Sequence, residues 1–268
     1  MPSSQFWSDS AYGNGKYVAI SLTSNVFAHS NDGISWIQST MPSTQNWQSV
    51  IYGGTKFIAN AGTSNVFAYS SNGTTWTQST MPSSQLWLDS AYGNGRYVVI
   101  ANNANVFAHS INGTSWIQST MPSTQNWQSV IYGGTKFIAN VDNSDVFAYS
   151  SNGTTWTQST MPSSGFWGNI AYGNGKYVTL KEATSVFAYS NDGISWTQAT
   201  APFVLGAYIG YGGGIFVCTG NSNKFTYSAD GVNWIQSDMP SSRNWNVIKY
   251  GDRFVSIAAN SNILAYTN

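Results

Sequence analysis

The chain has 268 residues, a formal net charge of zero and only 7% charged residues, so it lacks the basic field that nucleic-acid binding needs. No apolar run approaches the roughly 20 residues of a membrane-inserted helix, and the single cysteine, Cys218, excludes an intrachain disulfide framework. Aromatic residues make up 15% of the chain beside abundant hydroxyl and amide side chains. Such a mixture is typical of proteins that bind neutral polar ligands such as sugars, although repeated β-structure alone would also produce it.

One unit of about 40 residues returns seven times along the chain. The sixth copy is two residues shorter than the others, and the seventh stops early. We divide the chain into copies at residues 1–40, 41–80, 81–120, 121–160, 161–200, 201–238 and 239–268.

Each copy contains the pattern of a four-stranded β-meander. In the first copy the predicted strands are Trp7 to Tyr12, Tyr17 to Ser21, Val26 to Ser30 and Trp36 to Ser39. Tight turns are expected at Gly13-Asn14-Gly15 and Asn31-Asp32-Gly33, because Asn or Asp followed by Gly tolerates the positive φ angles of a hairpin. Residues 40–43 then link this copy to the next.

Short strands rich in β-branched and aromatic residues, at a period near 40, predict a β-propeller rather than a helical repeat. A closed ring also protects the sheet edges that separate small sheets would expose. We therefore expect one all-β domain over residues 1–268, a seven-bladed propeller with strand one innermost. The seventh copy has no fourth strand, so the last blade should have an open edge, through which the chain could associate with itself.

The turn between strands three and four, called the third turn of each copy, carries a family resemblance. Ser30-Asn-Asp-Gly-Ile-Ser-Trp36 returns with small changes in the next five copies. It resembles the Asp-box (BNR) repeat, Ser-x-Asp-x-Gly-x-x-Trp, of sialidase-like β-propellers, but is one residue shorter and has Asn for Asp in three copies. The resemblance extends to propeller lectins and to repeat modules of phage tail and bacterial surface proteins, which implies an extracellular or virion-associated recognition module.

Sialidase chemistry is not expected. That family uses an arginine triad, but Arg96 and Arg253 fall at turns on one face of the disc, whereas Arg243 falls in a link on the other. Glu182 is the only glutamate, and a glycosidase needs two carboxyl groups about 5 to 10 Å apart. The remaining acids, including Asp9 and Asp89, appear scattered in the sequence. We predict no catalytic residues, no metal site and no cofactor.

Variation between copies indicates a candidate binding face. Copies two and four differ at four positions, all within residues 61–65 and 141–145, in the loop between strands two and three. This loop should lie on the same face as the links, and loops on a rigid scaffold often carry function, although loops also simply drift. We predict ligand sites on this face with Trp7, Trp47, Trp87, Trp127, Trp167 and Trp245 as stacking rings, Gln45, Asn46, Gln125 and Asn126 as amides, and Thr63, Asn102, Asn103, Asp142 and Asn143 as variable contacts. Packing between blades is the competing role for these tryptophans.

The favoured function is a non-enzymatic, multivalent recognition module, carbohydrate-binding and directed at a glycan or cell-surface receptor, since repeated weak sites gain strength by avidity. The alternative is a structural or protein-interaction propeller within a larger fibre or surface protein. A glycosidase is the third class.

Overall fold

The computed structural model describes residues 1–204, 206, 208–219, 221–250, 253–258 and 263–267, with side chains left out at 221–222 and 246–249. Within these ranges all regular elements are β-strands. No helix among them is long and apolar enough to span a membrane.

Five four-stranded antiparallel sheets follow one another along the chain. The first comprises β1 (Trp7–Gly13), β2 (Lys16–Ser21), β3 (Ser24–Ser30) and β4 (Ile37–Gln45). The second comprises β5 (Trp47–Gly53), β6 (Lys56–Ala61), β7 (Ser64–Ser70) and β8 (Thr77–Gln85). The third comprises β9 (Trp87–Gly93), β10 (Arg96–Ala101), β11 (Ala104–Ser110) and β12 (Ile117–Gln125). The fourth comprises β13 (Trp127–Gly133), β14 (Lys136–Val141), β15 (Ser144–Ser150) and β16 (Thr157–Gly165). The fifth comprises β17 (Trp167–Gly173), β18 (Lys176–Lys181), β19 (Val186–Ser190) and β20 (Thr197–Thr200).

The last sheet has six strands and corrects the predicted blade number. It comprises β21 (Tyr208–Gly212), β22 (Ile215–Thr219), β23 (Asn221–Ser228), β24 (Ile235–Tyr250), β25 (Phe254–Ala258) and β26 (Leu264–Tyr266). The described chain therefore forms a propeller of six blades, and the prediction of seven separate blades, the last with three strands, is wrong.

The continuity of β24 explains this difference. Between the first five sheets one residue, such as Asn46 between β4 and β5, separates the outer strand of one sheet from the inner strand of the next, and residues 201–207 separate β20 from β21. In β24 the extended backbone runs through that point. Ile235 pairs with Tyr227 of β23, and Trp245 pairs with Ala258 of β25. The last two copies thus share one hydrogen-bonded sheet.

The sheets close into a ring with the first strand of each copy innermost, as the sequence predicts. Strands β1, β5, β9, β13, β17, β21 and β24 contact one another in succession, and β24 contacts β1. On the outer side of this closure, Val255 and Ile257 of β25 pack in one buried cluster with Trp7 and Tyr17 of the first sheet. Side-chain packing therefore joins the two ends of the described chain.

Outer strands are longer than predicted. Strand β4 runs to Gln45, which pairs with Ser24 after a register shift, so the predicted link at residues 40–43 lies inside the strand. The side chain of Ser43 donates a hydrogen bond of 2.5 Å to Gln78 of the next sheet. The first four links are thus extended segments bonded to both neighbouring sheets.

Aromatic packing joins neighbouring sheets at the third turn. The Trp76 ring lies edge-on to Phe27 of the preceding sheet at 5.9 Å and 6.3 Å from Phe57 of its own sheet. The same edge-on contact recurs for Trp116 with Phe67, Trp156 with Phe107, Trp196 with Phe147 and Trp234 with Phe187. These tryptophans pack between blades.

The third turns are held by side-chain hydrogen bonds to the backbone. Oδ1 of Asp32 accepts bonds of 2.8 Å from the backbone N–H groups of Ile34 and Ser35, and Gly33, at φ +73°, donates 2.8 Å to Ser30 Oγ. The two bonds from Ile34 and Ser35 lower the pKa of Asp32 from 3.8 to about 2. Asn72 makes the same pair of contacts at 2.9 Å without a charge.

These turns predict a specific acid sensitivity. The pKa of Asp192 is also lowered to about 2, and the pKa of Asp230 is lowered by its backbone bond from Asn233. A carboxyl group whose pKa is lower in the folded than in the unfolded state contributes its full stabilisation above its unfolded pKa, which is near 4. This contribution is lost as the pH falls towards 2. The triple variant Asp32→Asn, Asp192→Asn, Asp230→Asn should therefore lose less Tm than the parent between about pH 4 and pH 2.

The measurement is thermal unfolding by circular dichroism across that range. The double exchange Asp142→Asn, Asp145→Asn, at two carboxylates outside the third turns, serves as the control, and Asp238 is kept because it forms an ion pair with Lys224. An equal acid loss in parent and turn variant would show that the turn carboxylates do not contribute.

Candidate functional site at the central channel and the link face

The inner strands enclose a central channel of about 520 Å³. Polar residues near the start of each strand line it, among them Ser8, Asp9, Asp89 and Asn169. At the opposite ends of these strands the lining is aromatic, with Tyr12, Tyr52, Tyr92, Tyr132 and Tyr250. The Tyr92 ring lies directly over Gly53, where a Cβ would come within 2.1 Å of it, so glycine is required at that position.

Two carboxylates in the channel connect neighbouring blades. Asp9 Oδ2 accepts a bond of 2.9 Å from the backbone N–H of Val50 in the second sheet, and Asp89 Oδ2 accepts one of 2.8 Å from Val130 in the fourth. Asp89 Oδ1 also accepts from Ser49 Oγ at 3.2 Å. These contacts give both carboxylates a structural role as acceptors for inner-strand backbone groups.

The sequence interpretation missed this channel set. In the sequence Asp9 and Asp89 appear scattered, but the ring brings both to its centre because strand one is innermost in its blade. The signal was present: Ser49, Ser129 and Asn169 occupy the equivalent positions. A polar residue at one fixed place of strand one in the first five copies indicates a surface that faces a channel.

The second candidate surface is the link face, defined by the ends of the links and the loops between strands two and three. Each loop is bonded to the link before it: Leu22 N–H to Phe6 O at 2.9 Å, Gly62 to Asn46 at 2.9 Å, Asn102 to Leu86 at 2.9 Å, Asp142 to Asn126 at 3.0 Å and Glu182 to Phe166 at 2.8 Å. The variable loops therefore sit on a fixed backbone frame.

Most predicted polar site residues of the link face reach solvent. The side chains of Thr63, Asn103, Asn126 and Asn143 are exposed, whereas Gln45, Asn46, Asn102, Gln125 and Asp142 are partly buried. The bond from Gly62 to Asn46 brings Thr63 beside its link, and the bond from Asp142 to Asn126 does the same for Asn143. The two sets lie on different blades. A shallow pocket of about 300 Å³ occupies the corresponding place in the first copy, between Gln5 and Thr23.

The tryptophans predicted as stacking rings are enclosed by protein. Trp7, Trp47, Trp87, Trp127 and Trp245 are 0% exposed and Trp167 is 1% exposed. Five of the six indole N–H groups donate to a link carbonyl, as Trp47 does to Ser43 O at 3.4 Å and Trp167 to Ser163 O at 2.9 Å. The links therefore cover these rings, and a ligand on the link face meets amides, hydroxyls and the exposed rings of Phe6 and Phe166 instead.

The tips of the variable loops have an unusual backbone. Thr23, Thr63, Asn103, Asn143 and Ala183 all have φ between 52° and 57°, in the left-handed region that asparagine tolerates and β-branched residues avoid. The loop shape is thus held constant while the exposed side chain changes from copy to copy.

The chain matches no protein-family model and no curated protein. Among solved structures, it is similar to a catalytically inactive virginiamycin B lyase from Staphylococcus aureus with quinupristin (TM-score 0.84, 11% identity, 97% of this chain and 94% of that one). It is also similar to YCF48 bound to D1 peptide (0.79, 14%, 99% and 92%) and to the Neurospora crassa Pan2 WD40 domain (0.73, 10%, 95% and 86%). At these identities the likeness shows the β-propeller fold alone. Membership of the Asp-box family stays a prediction from the motif.

Removing the Asp89 carboxylate should destabilise the ring. In Asp89→Ala the N–H of Val130 and the hydroxyl of Ser49 lose their acceptor, which costs about 1–3 kcal/mol of unfolding free energy. Asp89→Asn keeps an acceptor oxygen and should cost clearly less. Urea unfolding monitored by tryptophan fluorescence measures both, and equal losses in the two variants would contradict the proposed contacts.

Relieving the backbone strain at one loop should stabilise the protein. Thr63→Asn introduces the residue found at the equivalent Asn143, and should raise the unfolding free energy by up to about 1 kcal/mol because asparagine adopts positive φ more readily. The exposed Thr80, which is not among the residues with positive φ, provides the control exchange Thr80→Asn. A lower Tm for Thr63→Asn than for the parent would show that the threonine is held by a favourable contact.

Proposed function

We propose that the chain is a non-catalytic interaction propeller that binds another polypeptide on the link face. The observation that carries this proposal is the combination of a constant, hydrogen-bonded loop frame with exposed side chains that differ between copies, such as Thr63, Asn143 and Ala183. A rigid frame with variable tips lets one face offer several distinct contacts to one extended partner, with little ordering cost on binding.

Burial of the strand-one tryptophans favours a polypeptide over a sugar. Sugar recognition commonly uses an open aromatic face, and the indole rings of this face are covered. The exposed groups are amides and hydroxyls, together with the rings of Phe6 and Phe166 in copies one and five, which are 42% and 48% exposed. Amides and hydroxyls pair well with peptide backbone, and the two rings offer apolar contacts to peptide side chains. One structural neighbour is itself described with a bound peptide, although its likeness to this chain is limited to the fold.

A glycan-binding module is the second candidate. It is favoured by one observation, the recurrence of the same amide pair, Gln45-Asn46 and Gln125-Asn126, beside the loops of copies two and four. Equivalent weak sites would give avidity towards a repetitive glycan.

Absence of catalysis is part of the proposal. The channel carboxylates Asp9 and Asp89 accept hydrogen bonds from the backbone of the next blade, which commits them to holding the ring. A lyase is among the structural neighbours, but at that identity it contributes the fold and no assignment of activity.

A pair of single substitutions tests the binding face. Binders are first selected from a random peptide display library against the intact protein, and their dissociation constants are measured by isothermal titration calorimetry. Asn143→Arg adds a bulky cation at one exposed loop tip, so peptides that bind the link face should bind this variant at least tenfold more weakly. Ser71→Arg, on the opposite face, should leave binding unchanged, because the equivalent Ile111 is 72% exposed and the position tolerates different side chains.

Three results would overturn the proposal. Saturable binding on a glycan array, with no peptide selected, would establish the second candidate instead. Peptides sensitive to Ser71→Arg and insensitive to Asn143→Arg would place binding on the third-turn face. Hydrolysis of a fluorogenic glycoside that Asp89→Asn abolishes would show catalysis in the channel.

A further inference from the structure

A separate apolar cavity lies between the two halves of the six-stranded sheet. Its volume is about 410 Å³. Val217 and Phe225 line it from the side of copy six, and Phe254, Ser256 and Ala265 line it from the side of copy seven. It shares no lining residue with the central channel.

The equivalent places earlier in the ring are filled by tryptophan. Between the first two sheets, Phe27 and Val18 face Phe57, Ala59 and Ala68, and the ring of Trp76 packs into the same cluster. The next four junctions are filled in the same way by Trp116, Trp156, Trp196 and Trp234. Each of these rings comes from the third turn of the copy on the far side of its junction.

The repeat aligns the cavity with those junctions residue by residue. Val217 and Phe225 correspond to Val18 and Phe27, whereas Phe254, Ser256 and Ala265 correspond to Phe57, Ala59 and Ala68. Among the described residues of copy seven, Trp245 is the last tryptophan, and it belongs to strand one. In the described residues the Phe225 ring packs on Tyr227 at 6.0 Å. The equivalent phenylalanines of the first five copies make an edge-on contact with a third-turn tryptophan as well. The cavity is therefore an indole-sized space without its indole.

Two polar features border this cavity. Ser256 is 4% exposed, and its Oγ has no hydrogen-bond partner in the structure, so it can accept a bond from an incoming indole N–H. Strand β26 is the last strand of its sheet in the described part of the chain. In the other sheets a fourth strand pairs with the equivalent strand, and such an edge readily binds an extended segment by β-augmentation.

We propose that this groove binds an extended segment of another polypeptide that carries a tryptophan. The segment would pair with β26 as a fourth strand and insert its indole between Phe225 and Phe254. A second folded copy of the chain does not fit this role, because its third-turn tryptophans are already packed within its own ring. The inference is independent of the link face.

A peptide copied from the chain itself is the probe. A fluorescein-labelled peptide with the sequence of residues 150–160, Ser-Ser-Asn-Gly-Thr-Thr-Trp-Thr-Gln-Ser-Thr, is titrated with the full chain and followed by anisotropy. We expect saturable 1:1 binding, at least tenfold weaker for the peptide with Trp156→Ala. This comparison uses the unaltered protein, so it does not depend on the folding of a variant.

Protein variants then locate the site. Ala265→Phe places a ring in the cavity and should abolish peptide binding, whereas Ala229→Phe, an exposed position in the third turn of copy six, should not change it. Equal affinity for the two peptides, no binding up to about millimolar concentration, or full binding by Ala265→Phe would each overturn the proposal. So would a dimer of the parent, seen by light scattering, that Ala265→Phe converts to monomer, because the occupant would then be a second copy.

Discussion

The packing of a tryptophan from one copy against a phenylalanine of the copy before it is the contact on which the ring depends. A four-stranded sheet of this size cannot bury both of its faces alone, so each blade uses its neighbour as its core. The edge-on pairs lie at nearly constant separations of 5.7 to 5.9 Å. Because each pair fixes the position of the next sheet, the same local contact repeated along the chain generates a closed ring.

That packing also separates the roles of the two faces. On one face the third turns are held by Asp or Asn side chains that accept from the backbone, as Asp32 and Asn72 do, and they deliver the packing tryptophans. On the other face the links run over the strand-one tryptophans, and the variable loops are bonded to the links. The first face builds the ring, which leaves the second free to vary without disturbing the core.

The junction between the last two copies departs from this pattern. Strand β24 continues through the point where the other sheets separate, and the cavity beside Phe225 lacks the ring that fills the equivalent junctions. The two departures occur at the same place. Copies six and seven are joined by shared backbone hydrogen bonding, whereas the other neighbours are joined by side-chain packing around an inserted indole.

The sequence by itself determined the repeat, the four-strand meander, the third turns and the inner position of strand one, because these follow from local turn chemistry and from a strand pattern that the first six copies each contain. Only the tertiary structure decided the number of sheets, the burial of Trp47 and Trp127, and the meeting of Asp9 and Asp89 in one channel. Whether a strand breaks between two copies depends on its hydrogen bonds to both neighbouring strands. The burial of a strand-one tryptophan depends on whether the link covers its ring. The convergence of residues 80 positions apart depends on closure of the ring, which no single copy encodes.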